Sequence, residues 1–335
     1  MHPGKRGTSS SPVTDEGDGK AGTFVLEPVP PFDFPLSSSI FTGGDPQVRI
    51  YEGGIYRQAT RVKGRLVLLL ITSAGTVDQP EMRVHVAPGP ISPGERKAAG
   101  HLVTSLFNLD LDLSLFARAV QGDPVMSAIA VCLRGLKPPR TATVFEALAD
   151  SIIEQQISLA AAHSIGKRVT RAFGDILEIG GGSYYAFPTP GRLAEASPEE
   201  LRACGLSLRK AEYITGIARR IRDGDLDLEN HGPGEDTGSI IRELSTLRGV
   251  GLWTAELAVL RGLSRLDAIP ADDLGIRRSF SHYYQKSSRI DPDEARRIAE
   301  AWGEWKGLAA YYLLVAERVG IGIPDLKRGE ESGFL

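Results

Sequence analysis

The sequence predicts an α+β protein: a small antiparallel sheet in an N-terminal domain, followed by an all-helical domain. Three observations carry this. Between Phe24 and Val86 apolar and polar residues alternate, interrupted by Gly-Gly and Lys-Gly pairs that read as hairpin turns. After Pro93 the apolar residues recur three and four apart, segment after segment. The chain has 335 residues and no visible repeat, enough for two or three domains with real cores.

Residues 1–22, MHPGKRGTSSSPVTDEGDGKAG, are polar, rich in Gly and Ser, and hold no apolar stretch of the kind a signal peptide needs. They read as a disordered tail. Residues 23–110 read as the sheet domain, carrying one or two helices on one face. Its apolar run LVLLLI, Leu66–Ile71, is far too short to span a bilayer and reads as a buried strand. Residues 111–335 read as the helical domain. Within it, the stretch from Thr143 to Gly174 predicts two helices that meet near Gln156–Ser158. Ser197-Pro198-Glu199-Glu200 is a helix start, and the next helix ends at Gly224. Further helical segments follow up to Gly320.

Composition excludes several classes. Charged residues make up 24% and hydrophobic residues 41%, ordinary for a soluble globular protein. Cys132 and Cys204 match no metal-ligand spacing and suit a reducing compartment, with a single disulfide left open. The six histidines show no paired spacing and receive no role. The net charge of -3 counts mildly against nucleic-acid binding. A site that grips a few phosphates, however, needs only local cations and aimed backbone amides.

Two features of Leu247–Arg278, LRGVGLWTAELAVLRGLSRLDAIPADDLGIRR, bear chemistry. Gly249 and Gly251 flank Val250 between two helical segments. Such a turn presents successive N–H groups at a helix N-terminus, which suits a phosphate, with Arg248 adding charge. It reads equally well as a helix stop followed by a new start. Asp272 and Asp273 follow Gly251, the second of them 22 residues on, enough for one helix and its return loop. Asp is a favoured N-cap, so one of the pair is expected to cap the next helix. The other is free to face a cleft shared with the turn.

These residues resemble the helix–hairpin–helix and Gly/Pro…Asp core of the DNA glycosylase superfamily, and are most similar to its 3-methyladenine DNA glycosylase II branch. The likeness extends beyond the hairpin. FEALADSIIEQQISLAAAHSIGKRV resembles that branch's first catalytic-domain helices, and the Gly-Leu-Ser-x-x-Lys-Ala run at Gly205–Ala211 its middle section. AWGEWKGLAAYYLL is similar to its closing helix. Together these matches cover Leu111 to Gly320 in order. The N-terminal sheet fits the branch's accessory domain with weaker motifs.

The resemblance implies roles. In the family pattern the catalytic Asp is followed, three positions on, by an aliphatic and then a basic residue. Ile276 and Arg277 satisfy this from Asp273, whereas Gly275 breaks it from Asp272. Asp273 is therefore the expected catalytic carboxylate, with Asp272 as a cap or support. Related bifunctional enzymes carry a nucleophilic lysine two positions after the hairpin's second glycine. Here that position is Trp253, which implies a monofunctional enzyme that leaves an abasic site. Trp253 also offers a π-face to a cationic alkylated purine, worth roughly 0.5–2 kcal/mol; its other reading is core packing. Pocket aromatics of some family members fall on Leu257 and Leu314, so the family's damage specificity does not carry over directly.

The residue expected to fill the gap left by a flipped base falls at Gln156, unless Gln155 and Gln156 merely form a solvated helix end. Lys210 and Arg209 are expected phosphate contacts, beside Arg248, Gly249, Val250 and Gly251. No cofactor or metal is implied, although the carbonyls of Leu247 and Val250 could hold a monovalent ion. The expected partner is double-stranded DNA with a damaged base, not a membrane. The chain is expected to act as a monomer in the cytoplasm, at the nucleoid. Two rival readings remain: a bifunctional glycosylase/lyase of the 8-oxoguanine type, and a non-catalytic hairpin module that only holds DNA.

Overall fold

Backbone pairing begins earlier than the sequence suggests. In the computed structural model, residues 13–14, 22–232, 234–284 and 290–322 are described. Strand β1 (Val13–Thr14) lies inside the expected disordered tail, yet pairs antiparallel with β2 (Thr23–Leu26). The open edge of β2 presents unpaired backbone groups, and a Val-Thr pair suits a strand there. The rest of that tail, residues 1–12 and 15–21, lies outside the described residues.

Helix α1 (Phe34–Ser38) is followed by β3 (Arg49–Glu52), β4 (Ile55–Val62), β5 (Arg65–Ser73) and β6 (Met82–Ala87). Gly53-Gly54 and Lys63-Gly64 form the expected two-residue turns. All four residues have positive φ, the twist that lets paired strands continue. Val62 therefore faces Arg65, and Ile55 faces Thr72. The sheet order is β1-β2-β6-β5-β4-β3. Helix α2 (Pro93–Leu106) covers one face, with Ala99, Val103 and Leu106 packed among Phe24, Leu69 and Val84.

The helical region starts with α3 (Leu113–Ala119), α4 (Pro124–Cys132), α5 (Val144–Glu154) and α6 (Leu159–Phe173). It is not all-helical. A hairpin of β7 (Ile176–Ile179) and β8 (Gly182–Tyr185) interrupts it. Leu177, Ile179 and Tyr184 pack on Ala59, Leu68 and Ala87 of the N-terminal sheet. The alternation in ILEIGGGSYY signals this hairpin, which docks the two domains on each other. Then come α7 (Pro190–Glu195), α8 (Pro198–Ala203), α9 (Leu208–Arg222), α10 (Thr237–Leu244) and α11 (Leu252–Leu263). Last are α12 (Leu274–Tyr283), α13 (Pro292–Ala299) and α14 (Lys306–Val319).

These helices build two cores rather than one. Apolar faces of α5 to α11 make the first, including Leu148, Ile152, Ile214, Leu244 and Val259. The second joins α3 and α4 to α12, α13 and α14, around Phe116, Ile129, Phe280, Trp302 and Leu313. The chain crosses between them at Ala268 and Ile269. The end of α11 and the start of α12 are thereby brought to the seam between lobes.

Lys137, in the link from α4 to α5, is fully buried against the N-terminal domain, and its Nζ donates to the carbonyls of Val29 and Leu109, both at 2.8 Å. A neutral amine has two N–H donors, which matches the two acceptors. Burial pulls its pKa down to about 7. In the unfolded chain the lysine holds its proton to about pH 10, so between these values the unfolded state binds more protons. Stability should then rise with pH across that window, by on the order of 1 kcal/mol per unit. Urea unfolding of wild type and Lys137→Met at pH 7 and pH 9 checks this. The wild type should gain relative to the variant at the higher pH; equal slopes would contradict it.

Candidate active site

The turn between α10 and α11 is shaped by what lies beneath it. Gly249 has φ +90°, and a Cβ there would sit 2.1 Å from the Tyr213 ring of α9. Glycine is thus needed twice, for its backbone and for the close approach. The Arg248 guanidinium lies over the same ring, 5.6 Å from its centroid, and pairs with Glu212 at 3.2 Å. Gln155 supports the turn from the other side, donating from Nε2 to the Gly249 carbonyl and to Thr254 Oγ1, both at 2.9 Å. Leu247's carbonyl accepts the Val250 N–H at 3.0 Å within the turn.

From α5 to α13 every helix has a side-chain N-cap apart from α11, which begins at Gly251 without one. Its first amides therefore remain open at the positive end of the helix dipole. That is the geometry of an anion site, and it favours the phosphate reading of the turn over a plain helix stop.

Trp253, Leu257 and Arg261 stand one turn apart on α11 and so share a face. Trp253 is half-buried and belongs to neither lobe's core, which disfavours the core-packing reading. Its indole Nε1–H donates to Asp273 Oδ2 at 3.3 Å. Asp273 is itself the N-cap of α12: Oδ1 accepts the amides of Gly275 at 2.8 Å and Ile276 at 3.1 Å. The cap and the candidate catalytic group are one residue, where the sequence suggested two. A Cβ on Gly275 would meet Asp273 Oδ1 at 3.1 Å and Leu314 Cδ2 at 3.2 Å, so Leu314 flanks the carboxylate. Leu257 is buried, at 6% exposure.

Asp272 is not a cap. Its Oδ2 lies 3.6 Å from Arg296 Nη2, and Arg296 makes a two-pronged pair with buried Glu256 of α11 at 2.6 and 3.1 Å. Arg296 of α13 thus ties the two lobes behind Asp273, with Asp272 at its edge. Arg261, at the end of the Trp253 stripe, is held by Glu154 at 2.8 Å. Burial opposes its charge, but Glu154, Asp150 and Asp273 outweigh that and raise its pKa. Its guanidinium therefore sits within the field of Asp273.

Gln156 projects from the α5–α6 loop, exposed and at φ +57°, beside exposed Ile157 and Leu159. Lys210 holds this loop rather than standing free for a phosphate. Its ammonium donates to the carbonyls of Ile153 at 2.8 Å and Gln155 at 2.6 Å, closing the C-terminal end of α5. Arg209 stays exposed. The bracing roles of Gln155, Tyr213 and Lys210 are not among the roles the sequence suggests. The Gln-Gln pair was a visible pointer to the first, while the other two depend on α9 packing under the turn.

Residues 149–304 match the profile described as HhH-GPD superfamily base excision DNA repair protein. The chain is 33% identical over 229 residues to the DNA-3-methyladenine glycosylase of Bacillus subtilis (strain 168), spanning 67% of this chain and 74% of that protein. Among solved structures, the 3-methyladenine DNA-glycosylase from Archaeoglobus fulgidus is similar, with a TM-score of 0.76, 27% identity, and coverage of 89% of this chain and 99% of that one. The 8-oxoguanine glycosylase/lyase of Clostridium acetobutylicum, solved with double-stranded DNA, shares the fold. Its TM-score is 0.72 at 20% identity, over 90% of this chain and 97% of that one. The chain belongs to the HhH-GPD superfamily of base excision DNA repair proteins, alongside its 3-methyladenine DNA glycosylases.

Proposed function

We propose that the protein is a monofunctional DNA glycosylase that removes alkylated or deaminated purines from duplex DNA and leaves an abasic site. The observation that carries this reading is the pair of Trp253 and Asp273, with the indole N–H 3.3 Å from the carboxylate. An aromatic ring stands where a lyase needs an amine, and it touches the acid that a hydrolytic enzyme needs.

The mechanism follows from the two oxygens of Asp273. Oδ1 is fixed by the first amides of α12, where the helix dipole favours the anion. Oδ2 keeps lone pairs for the cleft. As the C1′–N bond breaks, its electron pair leaves with the purine, and positive charge develops on the sugar. The carboxylate stabilises that charge and accepts a proton from the water that adds to C1′. A purine made cationic by alkylation leaves as a neutral base and is favoured by the Trp253 ring. The uncapped α11 amides and Arg248 would hold backbone phosphate on one side, and Gln156 would enter the gap left by the flipped base. Action as a monomer, in the compartment that houses the chromosome, completes the reading.

The lyase alternative shares only the fold of an 8-oxoguanine enzyme, and no lysine occupies its position on α11. A pure binding module would not need Asp273 set against an aromatic ring. The test is to incubate the protein with methylated duplex DNA and, separately, with a duplex carrying hypoxanthine, and to score free base by chromatography. Release from either supports the reading; tight binding without release from both would sink it.

Trp253→Phe isolates the hydrogen bond from the ring. Loss of one charge-assisted donor is expected to lower the single-turnover rate roughly tenfold, while half-saturation by DNA changes little. An unchanged rate would mean that the Trp253 N–H does not orient Asp273.

A further inference from the structure

We propose that Arg261 donates hydrogen bonds to the base as it leaves, and so selects neutral 6-oxopurines such as hypoxanthine over 6-aminopurines. The proposal deepens the glycosylase reading and rests on it. Arg261 stands on the face of α11 that carries Trp253 and Leu257. Its Cα lies about 12 Å along the helix from that of Trp253. Side chains on a helix lean toward its N-terminus, so the long arginine reaches back below Leu257, toward Trp253 and Asp273. Glu154 fixes it there: Nη1 donates to both carboxylate oxygens, at 2.8 and 2.9 Å. Glu154 is the last residue of α5, next to the Gln155–Gln156 loop, so the pair lies between that loop and α11.

A guanidinium carries donors on all three nitrogens, and only Nη1 is used. Nε and Nη2 meet no protein acceptor among the described residues, and with the side chain 33% exposed this edge of the fork is open. Its neighbours show where it opens. Burial opposes the Arg261 charge, while Glu154, Asp150 and Asp273 sustain it. Tyr311 of α14 lies close as well: burial pushes its phenol up to about 12, and the Arg318 and Arg261 charges work against that rise. Tyr311 stands one turn before Leu314, the residue that flanks the carboxylate. The open edge therefore faces the space framed by Trp253, Leu257, Leu314 and Asp273.

The donor edge matches one class of base. A 6-oxopurine presents two acceptors, O6 and N7, and an arginine fork takes both; a 6-aminopurine turns an NH2 group toward the same donors. The leaving step separates the classes further. An alkylated purine is already cationic and leaves neutral. Hypoxanthine is neutral, so when the C1′–N9 bond breaks it departs as an anion with the electron pair, and then takes a proton from solvent water. A guanidinium at O6 and N7 stabilises this developing negative charge, while Asp273 stabilises the positive sugar. A cationic base gains little from such a partner, and Leu257 and Leu314 offer it no second aromatic face beside Trp253. Guanine shares the O6 and N7 edge, but its intact pair makes it costlier to flip than a mispaired base.

The test compares two substrates within each variant. Single-turnover base release is measured on a duplex with one hypoxanthine and on methylated duplex scored for 3-methyladenine, using full-length wild type, Arg261→Met and Arg261→Lys. Lysine keeps a charge for Glu154 but loses the fork, so it preserves the fold if methionine does not. The ratio of the hypoxanthine rate to the 3-methyladenine rate should fall about a hundredfold in Arg261→Met and about tenfold in Arg261→Lys. Damage to the fold lowers both rates together and leaves the ratio where it was. An unchanged ratio in both variants would overturn the proposal and leave Arg261 a structural partner of Glu154. Wild type that releases 3-methyladenine but no hypoxanthine would also overturn it, while sparing the glycosylase reading. Release of neither base would overturn both.

Discussion

Asp273→Asn is expected to lower base release by about a thousandfold or more, with duplex affinity and melting temperature close to wild type. Asn is as good an N-cap as Asp, so the contacts to Gly275 and Ile276 survive and α12 stays in place. What is lost is the negative charge that faces the developing positive sugar. Asp273→Ala would mix two effects, since it also removes the cap at a cost of about 1 kcal/mol. Asp272→Asn provides the control. Its contact with Arg296 is long and its side chain half exposed, and such pairs contribute little. Single-turnover rates on hypoxanthine duplex separate the two. Were Asp272→Asn inactive and Asp273→Asn active, the assignment of the catalytic residue would be reversed.

The second large effect is expected at Gly249. A valine there places a branched side chain at φ +90° and drives Cβ into Tyr213. Strain and clash together should cost roughly 3 kcal/mol or more, and the turn must move to relieve them. Movement would misaim the α11 amides and break the bond from Gln155, which links the turn to the Gln156 loop. Duplex affinity should therefore fall by about a hundredfold, equivalent to about 2.7 kcal/mol. Fluorescence anisotropy with a short duplex, beside urea unfolding, measures both. Pairing Gly249→Ala with Tyr213→Ala should relieve the clash and leave the backbone strain, giving an intermediate loss. Wild-type affinity in Gly249→Val would show that the turn does not grip the DNA.

Much of this site is legible in sequence because its parts are local. The spacing from Gly251 to Asp273 sets a helix and a return loop, and caps such as Ser197 and Ser207 mark where helices begin. What is not local is not legible. Lys210 looks like any exposed helix cation until α9 packs it under the end of α5. Tyr213 carries no signal of its role beneath Gly249. The two-lobed core also escapes the sequence, because α3 and α4 return across more than a hundred residues to pack on α12 and α14. The β7–β8 hairpin alternates visibly, but it is short and surrounded by helical periodicity. Asp273 teaches a different lesson. In sequence, capping and catalysis look like rival uses of adjacent residues, yet a cap occupies one carboxylate oxygen and leaves the other for chemistry.

The proposed function requires hydrolysis by Asp273 without a covalent amine intermediate. The most direct measurement is an end-labelled duplex with a single hypoxanthine, incubated with wild type and scored for strand breaks before and after alkali, with borohydride present in a parallel reaction. Breaks that appear only after alkali, with no protein trapped on the DNA, are the expected result. Breaks without alkali, together with a borohydride-trapped complex, would contradict it and require an amine nucleophile elsewhere in the cleft.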